Sequence, residues 1–118
     1  MPESAPPIVL ALVRDLIFAS RISASAKAVG VECRIIRDPT KLESQAGNLL
    51  LVDLNEPGAI EAAAGWQQAS SRPVVGFVSH VDAQRIEQAR QAGLTRIMAR
   101  SAFVEALHSL LSSALSDP

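Results

Sequence analysis

The chain has 118 residues, a formal net charge of −1 and a hydrophobic share of 48%. That length suits one domain with one core, and the near-neutral charge balance excludes the strongly basic character typical of nucleic-acid-binding domains. The apolar run at residues 8–13 is far shorter than the roughly 20 residues that span a bilayer, and a single cysteine, Cys33, excludes an internal disulfide. We therefore expect a cytoplasmic protein that binds neither membrane nor nucleic acid.

The first half of the chain alternates short apolar runs, which predict strands, with segments of helical spacing that end at glycine. Asp38 before Pro39 is a helix start signal, because aspartate accepts N–H bonds at an N-cap and proline is favoured at the first helical position. After a leader at 1–7, which we expect to be flexible, the predicted order is strand, helix, strand, short helix and strand, over residues 8–13, 15–30, 31–36, 39–47 and 48–53.

The second half continues the same alternation, with Asp82 as a predicted N-cap. The predicted order is helix, strand, helix, strand and helix, over residues 59–71, 73–79, 83–93, 94–99 and 101–115. Apolar residues line one face of the last helix: Phe103, Leu107, Leu110, Leu111 and Ala114.

Strands with continuous apolar character are typical of a parallel sheet that is covered by helices on both faces. Because crossovers are right-handed, few topologies remain. We predict an α/β fold of the flavodoxin-like, doubly wound type, with five parallel strands in the order 2-1-3-4-5, as one domain over residues 8–116.

Polar residues follow the predicted strands at the edge where such sheets bind ligands. The candidate cleft contains Asp53 after the third strand and five supporting residues after the first, fourth and fifth strands: Arg14, Asp15, Ser79, His80 and Arg100. The alternative is a purely structural role, in which Asp53 only caps a loop N–H and Ser79 is an ordinary polar residue at a strand end.

Two stretches resemble the receiver domain of two-component response regulators: LLLVDLNEPG at 49–58 and VVGFVSHVDAQRIEQARQAGLTRIMARSAFVEAL at 74–107. The resemblance implies a CheY-like fold and a place in two-component signal transduction or a phosphorelay. It places Asp53 at the phospho-acceptor position, Ser79 at the hydroxyl position that bonds the phosphoryl group, and Arg100 at the position of the family's lysine.

The chain departs from the receiver pattern at the metal site. The resemblance puts Val13 and Arg14 where the family has an acidic pair, and Asp15 comes one residue late. Other departures surround the site: Arg100 for lysine, Ser101 for the following proline, Ile97 for the aromatic switch residue, and His80 for a small residue.

These departures predict that no Mg²⁺ cofactor is bound. A guanidinium about 5 Å from a divalent cation is repelled by up to roughly 7 kcal/mol at an effective dielectric of 20, before screening. Without the metal, phosphoryl transfer to Asp53 would be slow. We expect Arg14 and Arg100 to pair with the Asp53 carboxylate instead.

The leading hypothesis is therefore a non-enzymatic pseudo-receiver that acts through protein contacts, with a signalling kinase or effector as partner or a second copy in a homodimer. The resemblance places the contact face on the fourth helix, fifth strand and fifth helix, with Arg85, Glu87, Arg90 and Arg96. One alternative is a phosphorylatable divergent receiver that uses Asp53, with Asp15 as sole metal ligand. A second is a small-molecule or anion binder at the strand-end cleft.

Other side chains suggest no further chemistry. Cys33 and Trp66 are expected to be packing residues, and His80 and His108 have no arrangement that indicates catalysis. No glycine-rich phosphate loop follows the first strand.

Overall fold

The computed structural model describes residues 6–79 and 82–115. His80 and most of the predicted leader lie outside the described residues. The elements are β1 (Ile8–Leu12), α1 (Leu16–Val29), β2 (Glu32–Ile36), a short 3₁₀ helix (Pro39–Ser44), β3 (Leu49–Asp53), α2 (Ala59–Ser70), β4 (Val74–Val78), α3 (Ala83–Gln91), β5 (Arg96–Ala99) and α4 (Arg100–Leu115).

The five strands form one sheet in the order β2-β1-β3-β4-β5, and every paired strand is parallel to its neighbour. This confirms the predicted flavodoxin-like topology. In the register of β3 against β4, Asp53 lies opposite Phe77. The carboxyl ends of these strands therefore meet at one edge of the sheet.

Successive side chains of the central strands point to opposite faces of the sheet and so pack into two separate cores. Leu49 and Leu51 of β3 face the side that α1 and α4 cover, whereas Leu50 and Val52 face the side that α2 and the 3₁₀ helix cover. The predicted apolar face of α4 is confirmed, since all five of its residues are buried.

The predicted helix boundaries at 15–30 follow from local chemistry. The Asp15 carboxylate accepts hydrogen bonds from the backbone N–H groups of Ile17 and Phe18, at 3.0 and 3.2 Å. Gly30 ends the helix with φ of 91°, a left-handed conformation that glycine adopts without steric cost.

The prediction of a helix over 39–47 was wrong in type and length. Asp38 does cap the segment, accepting from the Thr40 backbone N–H, but the result is a 3₁₀ helix that stops at Ser44. Leu42 is its one buried residue. A single apolar anchor gives too little burial to hold a longer helix, because most helical stability in proteins comes from packing.

Burial on both faces was also wrong for the edge strands. In β2, Glu32 and Arg34 are exposed and pair with each other at 3.0 Å. In β5, Arg96 and Ala99 are exposed. Charged side chains on an edge strand discourage pairing with another chain. None of the helices in the described part of the chain is long and apolar enough to cross a membrane.

Candidate functional site

The carboxyl ends of β3 and β4 bring Asp53, Asn55 and Ser79 into one hydrogen-bonded group. The Asp53 carboxylate accepts from the backbone N–H of Asn55 at 3.0 Å. The side-chain oxygen of Asn55 in turn accepts from the backbone N–H of Ser79 at 2.6 Å and from its hydroxyl at 3.0 Å. Asn55 thus ties the loop after β3 to the end of β4.

Asp53 is buried, with 7% of its surface exposed, and is the one buried polar or charged residue in the part of the chain that the structure describes. Desolvation raises the pKa of its carboxyl group, against the lowering effect of the Asn55 hydrogen bond. Glu56 and Asp15 raise this pKa further, and Arg100 lowers it. Asp53 has no ion pair within the part of the chain that the structure describes, and burial of an unpaired carboxylate is costly, which marks the position as a functional candidate.

Asn55 was missed as a site residue in the sequence. The signal that could have found it is the Asp-Leu-Asn spacing directly after a buried strand, because Asp and Asn side chains bond to backbone groups two residues on and so build tight turns. The Ser79 hydroxyl, placed by the resemblance at the phosphoryl-binding position, donates to Asn55 in this structure.

The expected pairing of arginines with Asp53 is wrong. Arg100 lies across the cleft, with Nη2 at 3.5 Å from Oδ2 of Asp15. Its guanidinium carbon is 3.9 Å from the centroid of the Phe18 ring, which places the cation over an aromatic face. Phe18 belongs to a packed trio with Phe77 and Phe103, so Arg100 stacks on a fixed support.

The β1 end of the cleft offers poor metal ligands. Val13 is buried in the core, and Arg14 is exposed. Hydrogen bonds from Thr40 are the main cause that lowers the pKa of the Asp38 carboxyl group, and the charge of Arg14 lowers this pKa further. Asp15 is occupied as the N-cap of α1, and the hydrogen bond from the Phe18 N–H leads the causes that lower its pKa.

Mg²⁺ requires an octahedral shell of oxygen ligands. The described residues contain no group of three or more His, Cys, Asp or Glu side chains that could hold a metal ion. At the end of β1, Val13 is apolar and Arg14 is a cation, so this edge supplies fewer carboxylate oxygens than an acidic pair at these two positions would.

The predicted contact face is only partly a free surface. Glu87, Arg90 and Arg96 are exposed. Arg85 is half-buried instead, and its guanidinium donates to the carbonyl oxygen of Leu54 at 3.2 Å. Because that carbonyl directly follows Asp53, Arg85 supports the site loop rather than projecting from the face.

The residues expected to pack do so. Trp66 is 3% exposed, and its indole N–H donates to the carbonyl oxygen of Gln45 at 2.9 Å. Desolvation raises the pKa of the Cys33 thiol to about 11, so the thiol stays protonated and unreactive at neutral pH. His108 is exposed on α4.

Solved structures of response-regulator receiver domains share this fold. A CheY-like receiver domain protein from Methanospirillum hungatei matches with a TM-score of 0.76 at 14% identity, covering 97% of this chain and 100% of its own. The receiver domain of a modulated diguanylate cyclase from Desulfovibrio desulfuricans gives 0.78 at 17%, covering 95% of both chains.

A Burkholderia pseudomallei response regulator, solved with a phosphorylated aspartic acid and a calcium ion, gives a TM-score of 0.73 at 17% identity, covering 93% of this chain and 69% of its own. No protein-family model and no curated protein sequence matches the chain. At these identities the likeness is one of fold, and the fold of this chain is that of the CheY-like receiver domains.

Proposed function

We propose that this chain is a receiver-like signalling domain that works through protein contacts, without Mg²⁺-dependent phosphorylation of Asp53. The observation that carries the proposal is the engagement of Asp15, which caps α1 through two backbone N–H groups and pairs with Arg100. The carboxylate nearest the family's metal position is thus committed to structure.

Charge supports the same conclusion. Phosphoryl transfer to a carboxylate brings two groups of like charge together, and a divalent cation ordinarily neutralises them. Here Asp53 is buried and accepts a hydrogen bond from a backbone N–H, while Arg100 pairs with Asp15 and stacks on Phe18. No cation among residues 6–79 and 82–115 pairs with Asp53, so its attack on a phosphodonor would lack a preorganised positive charge from them.

Exposed apolar side chains next to the cleft support a role in protein contact. Leu16 is 60% exposed and Ile17 is 85% exposed, both in the first turn of α1. Large apolar groups that are left in water at a functional edge are typical of a protein-binding surface.

The direct test is incubation with Mg²⁺ and acetyl phosphate, followed by intact-mass measurement. We expect no phosphoryl-sized gain in mass. A gain that disappears in Asp53→Asn would reject the proposal and favour a phosphorylatable receiver. That second candidate has one observation in its favour: Asp53 and Ser79 do end neighbouring parallel strands, as the phospho-acceptor and hydroxyl positions require.

A gain-of-function variant tests the physical reason. Arg14→Asp replaces an exposed cation with a carboxylate at the lost acidic-pair position. We expect it to bind Mg²⁺ measurably by calorimetry where the parent chain does not, and the exposed substitution Arg21→Asp is the control for charge alone. If Arg14→Asp binds Mg²⁺ no better than Arg21→Asp does, the lost acidic pair is not the reason that the parent chain fails to bind Mg²⁺.

A further inference from the structure

A groove runs between the short 3₁₀ helix and α2, beside the loop that follows β3. Its volume is about 650 Å³, within the usual range of ligand-binding clefts. Pro39, Thr40 and Glu43 of the 3₁₀ helix line one wall, and Pro57 and Gly58 line the end nearest the start of α2.

The groove exists because the β2–β3 crossover contains only six residues of 3₁₀ helix. The facing wall of α2 consists largely of small residues, Ala62, Gly65 and Ala69. A Cβ atom built on Gly65 would meet nothing within 4 Å. This side of α2 is therefore open where a full-length helix would have covered it.

The dimensions match a helical segment. The α2 side of the groove extends from Gly58 to Ala69, which is about 16 Å at 1.5 Å rise per residue, or three helical turns. Small residues on a helix surface let a second helix approach to the usual interaxial distance of roughly 8–10 Å.

The acidic side chains at the groove indicate that its partner carries positive charge. Glu43 and Glu61 are exposed on opposite walls, and neither takes part in an ion pair among the described residues. The described residues that line the groove include no lysine or arginine. Trp66 lines the groove but is 3% exposed, with its N–H bonded to the Gln45 carbonyl, so the apolar contact surface comes mainly from the proline and alanine residues of the lining.

We propose that this groove docks an amphipathic helix of a partner protein, with an apolar stripe at i, i+3, i+4 and i+7 and with lysine or arginine on both flanks. The segments outside the described residues at the two ends contain Glu3 and Asp117 and no lysine or arginine, so they lack the complementary charge. In a second copy, most apolar residues of α1 and α4 are buried, and the exposed Leu16 and Ile17 are neighbours in the first turn of α1 that form no stripe at i, i+3, i+4 and i+7. This docking site does not depend on the chemistry of Asp53.

The probe is a synthetic 14-residue helix-forming peptide with a leucine and alanine stripe, lysine flanks and no tryptophan. One matched peptide replaces lysine with glutamate, and another has the same composition in an order that breaks the stripe. Binding is measured by the fluorescence anisotropy of a dye attached to the peptide, because Trp66, the chain's single tryptophan, is 3% exposed. We expect the basic amphipathic peptide to bind at least about tenfold more tightly than either matched peptide.

Two variants locate the binding. Gly65→Leu adds a side chain to open space in a helix, where leucine is also the better helix former, so the fold is retained while the groove is filled. We expect it to weaken binding at least about tenfold. Glu43→Lys should weaken binding roughly threefold, whereas Glu105→Lys, an equal change of charge at an exposed position on α4, should leave it unaltered.

Several outcomes would overturn the proposal. They are the absence of peptide binding, equal binding of the broken-stripe peptide, and binding that survives Gly65→Leu. Binding of dodecyltrimethylammonium without binding of the peptide would make the groove a small-molecule site. A dimer of the chain that Gly65→Leu abolishes would make the occupant a second copy.

Discussion

At the scale of single residues, burial rather than a counter-ion has the largest effect on the pKa of Asp53. Its folded pKa is raised above the ordinary value of 3.8, first by desolvation. The folded chain therefore binds this proton more tightly than the unfolded chain. As pH rises from the ordinary pKa through the raised folded pKa, the free energy of unfolding falls, and it stays lower above that window.

We expect Asp53→Asn to raise the free energy of unfolding at pH 7 by about 1 kcal/mol. The asparagine oxygen can still accept from Asn55, and no charge is buried. The gain should shrink as pH falls from 7 towards the ordinary pKa of 3.8, because protonation progressively removes the buried charge from the parent. Urea unfolding at the two pH values measures it.

Asp38→Asn is the control with the opposite sign, because hydrogen bonds from Thr40 lower the pKa of Asp38. The Asp38 carboxylate contributes stability above its ordinary pKa, and that stability is lost as pH falls through the lowered folded value. A gain in Asp53→Asn that is equal at both pH values would contradict the burial argument.

Asp15 stabilises the start of α1, and two substitutions separate its roles. Asp15→Ala removes both the cap and the Arg100 pair, so the thermal midpoint should fall by a few degrees. Asp15→Asn keeps a capping oxygen and should cost much less, because asparagine caps as well as aspartate. Equal losses in a thermal melt would show that the pair with Arg100, not the cap, is what matters.

At the scale of elements, two glycines differ in how much space a Cβ atom would find beside them. A Cβ atom on Gly76 of β4 would lie 2.6 Å from Cδ1 of Leu54, which is fully buried. Gly65 of α2 has open space around it. The loop after β3 is thus packed tightly onto β4, while α2 has an uncovered side.

This contrast predicts opposite effects of one methyl group. Gly76→Ala should lower the free energy of unfolding by about 1–3 kcal/mol through overpacking. Gly65→Ala should raise it by about 0.5–1 kcal/mol, because alanine is the better helix former. Denaturant midpoints at constant m-value measure both, and a stabilising Gly76→Ala would show that Leu54 moves aside.

At the scale of the whole molecule, the two helical layers differ in what they leave exposed. The layer of α1 and α4 buries the three phenylalanines. The layer of α2, α3 and the 3₁₀ helix presents the groove together with Glu87 and Arg90, and the edge strand β5 adds Arg96 to this charged face. Contacts with partners are therefore expected on more than one side.

We expect the charged face to mediate self-association or partner binding, and we expect reversal of its charges to disrupt that contact. Because Arg85 holds the Leu54 carbonyl, the informative reversal is Arg90→Glu with Arg96→Glu. We expect the double variant to shift the size distribution or to lose partner binding by roughly tenfold at low salt. Reversal of Arg21 and Lys27, exposed on α1, is the control. An assembly unchanged by the first pair would place the contact on another surface.

The sequence by itself determined the topology and most of the helix ends. Apolar runs of strand length and glycine stops are local signals, and right-handed crossovers leave few ways to arrange five such units. The position of Asp53 at a buried strand end was predictable for the same reason. So were Asp38 and Asp82 as caps, because capping depends on residues only a few positions apart.

Only the tertiary structure decided which partners the site residues have. Asp15 and Arg100 are 85 positions apart in the chain, and Asn55 and Ser79 are 24 apart. Their pairing depends on side-chain directions across strand ends that no local pattern encodes. The length of the 3₁₀ helix was likewise set by how little it could bury, which follows from packing against α2 and the sheet rather than from its own caps.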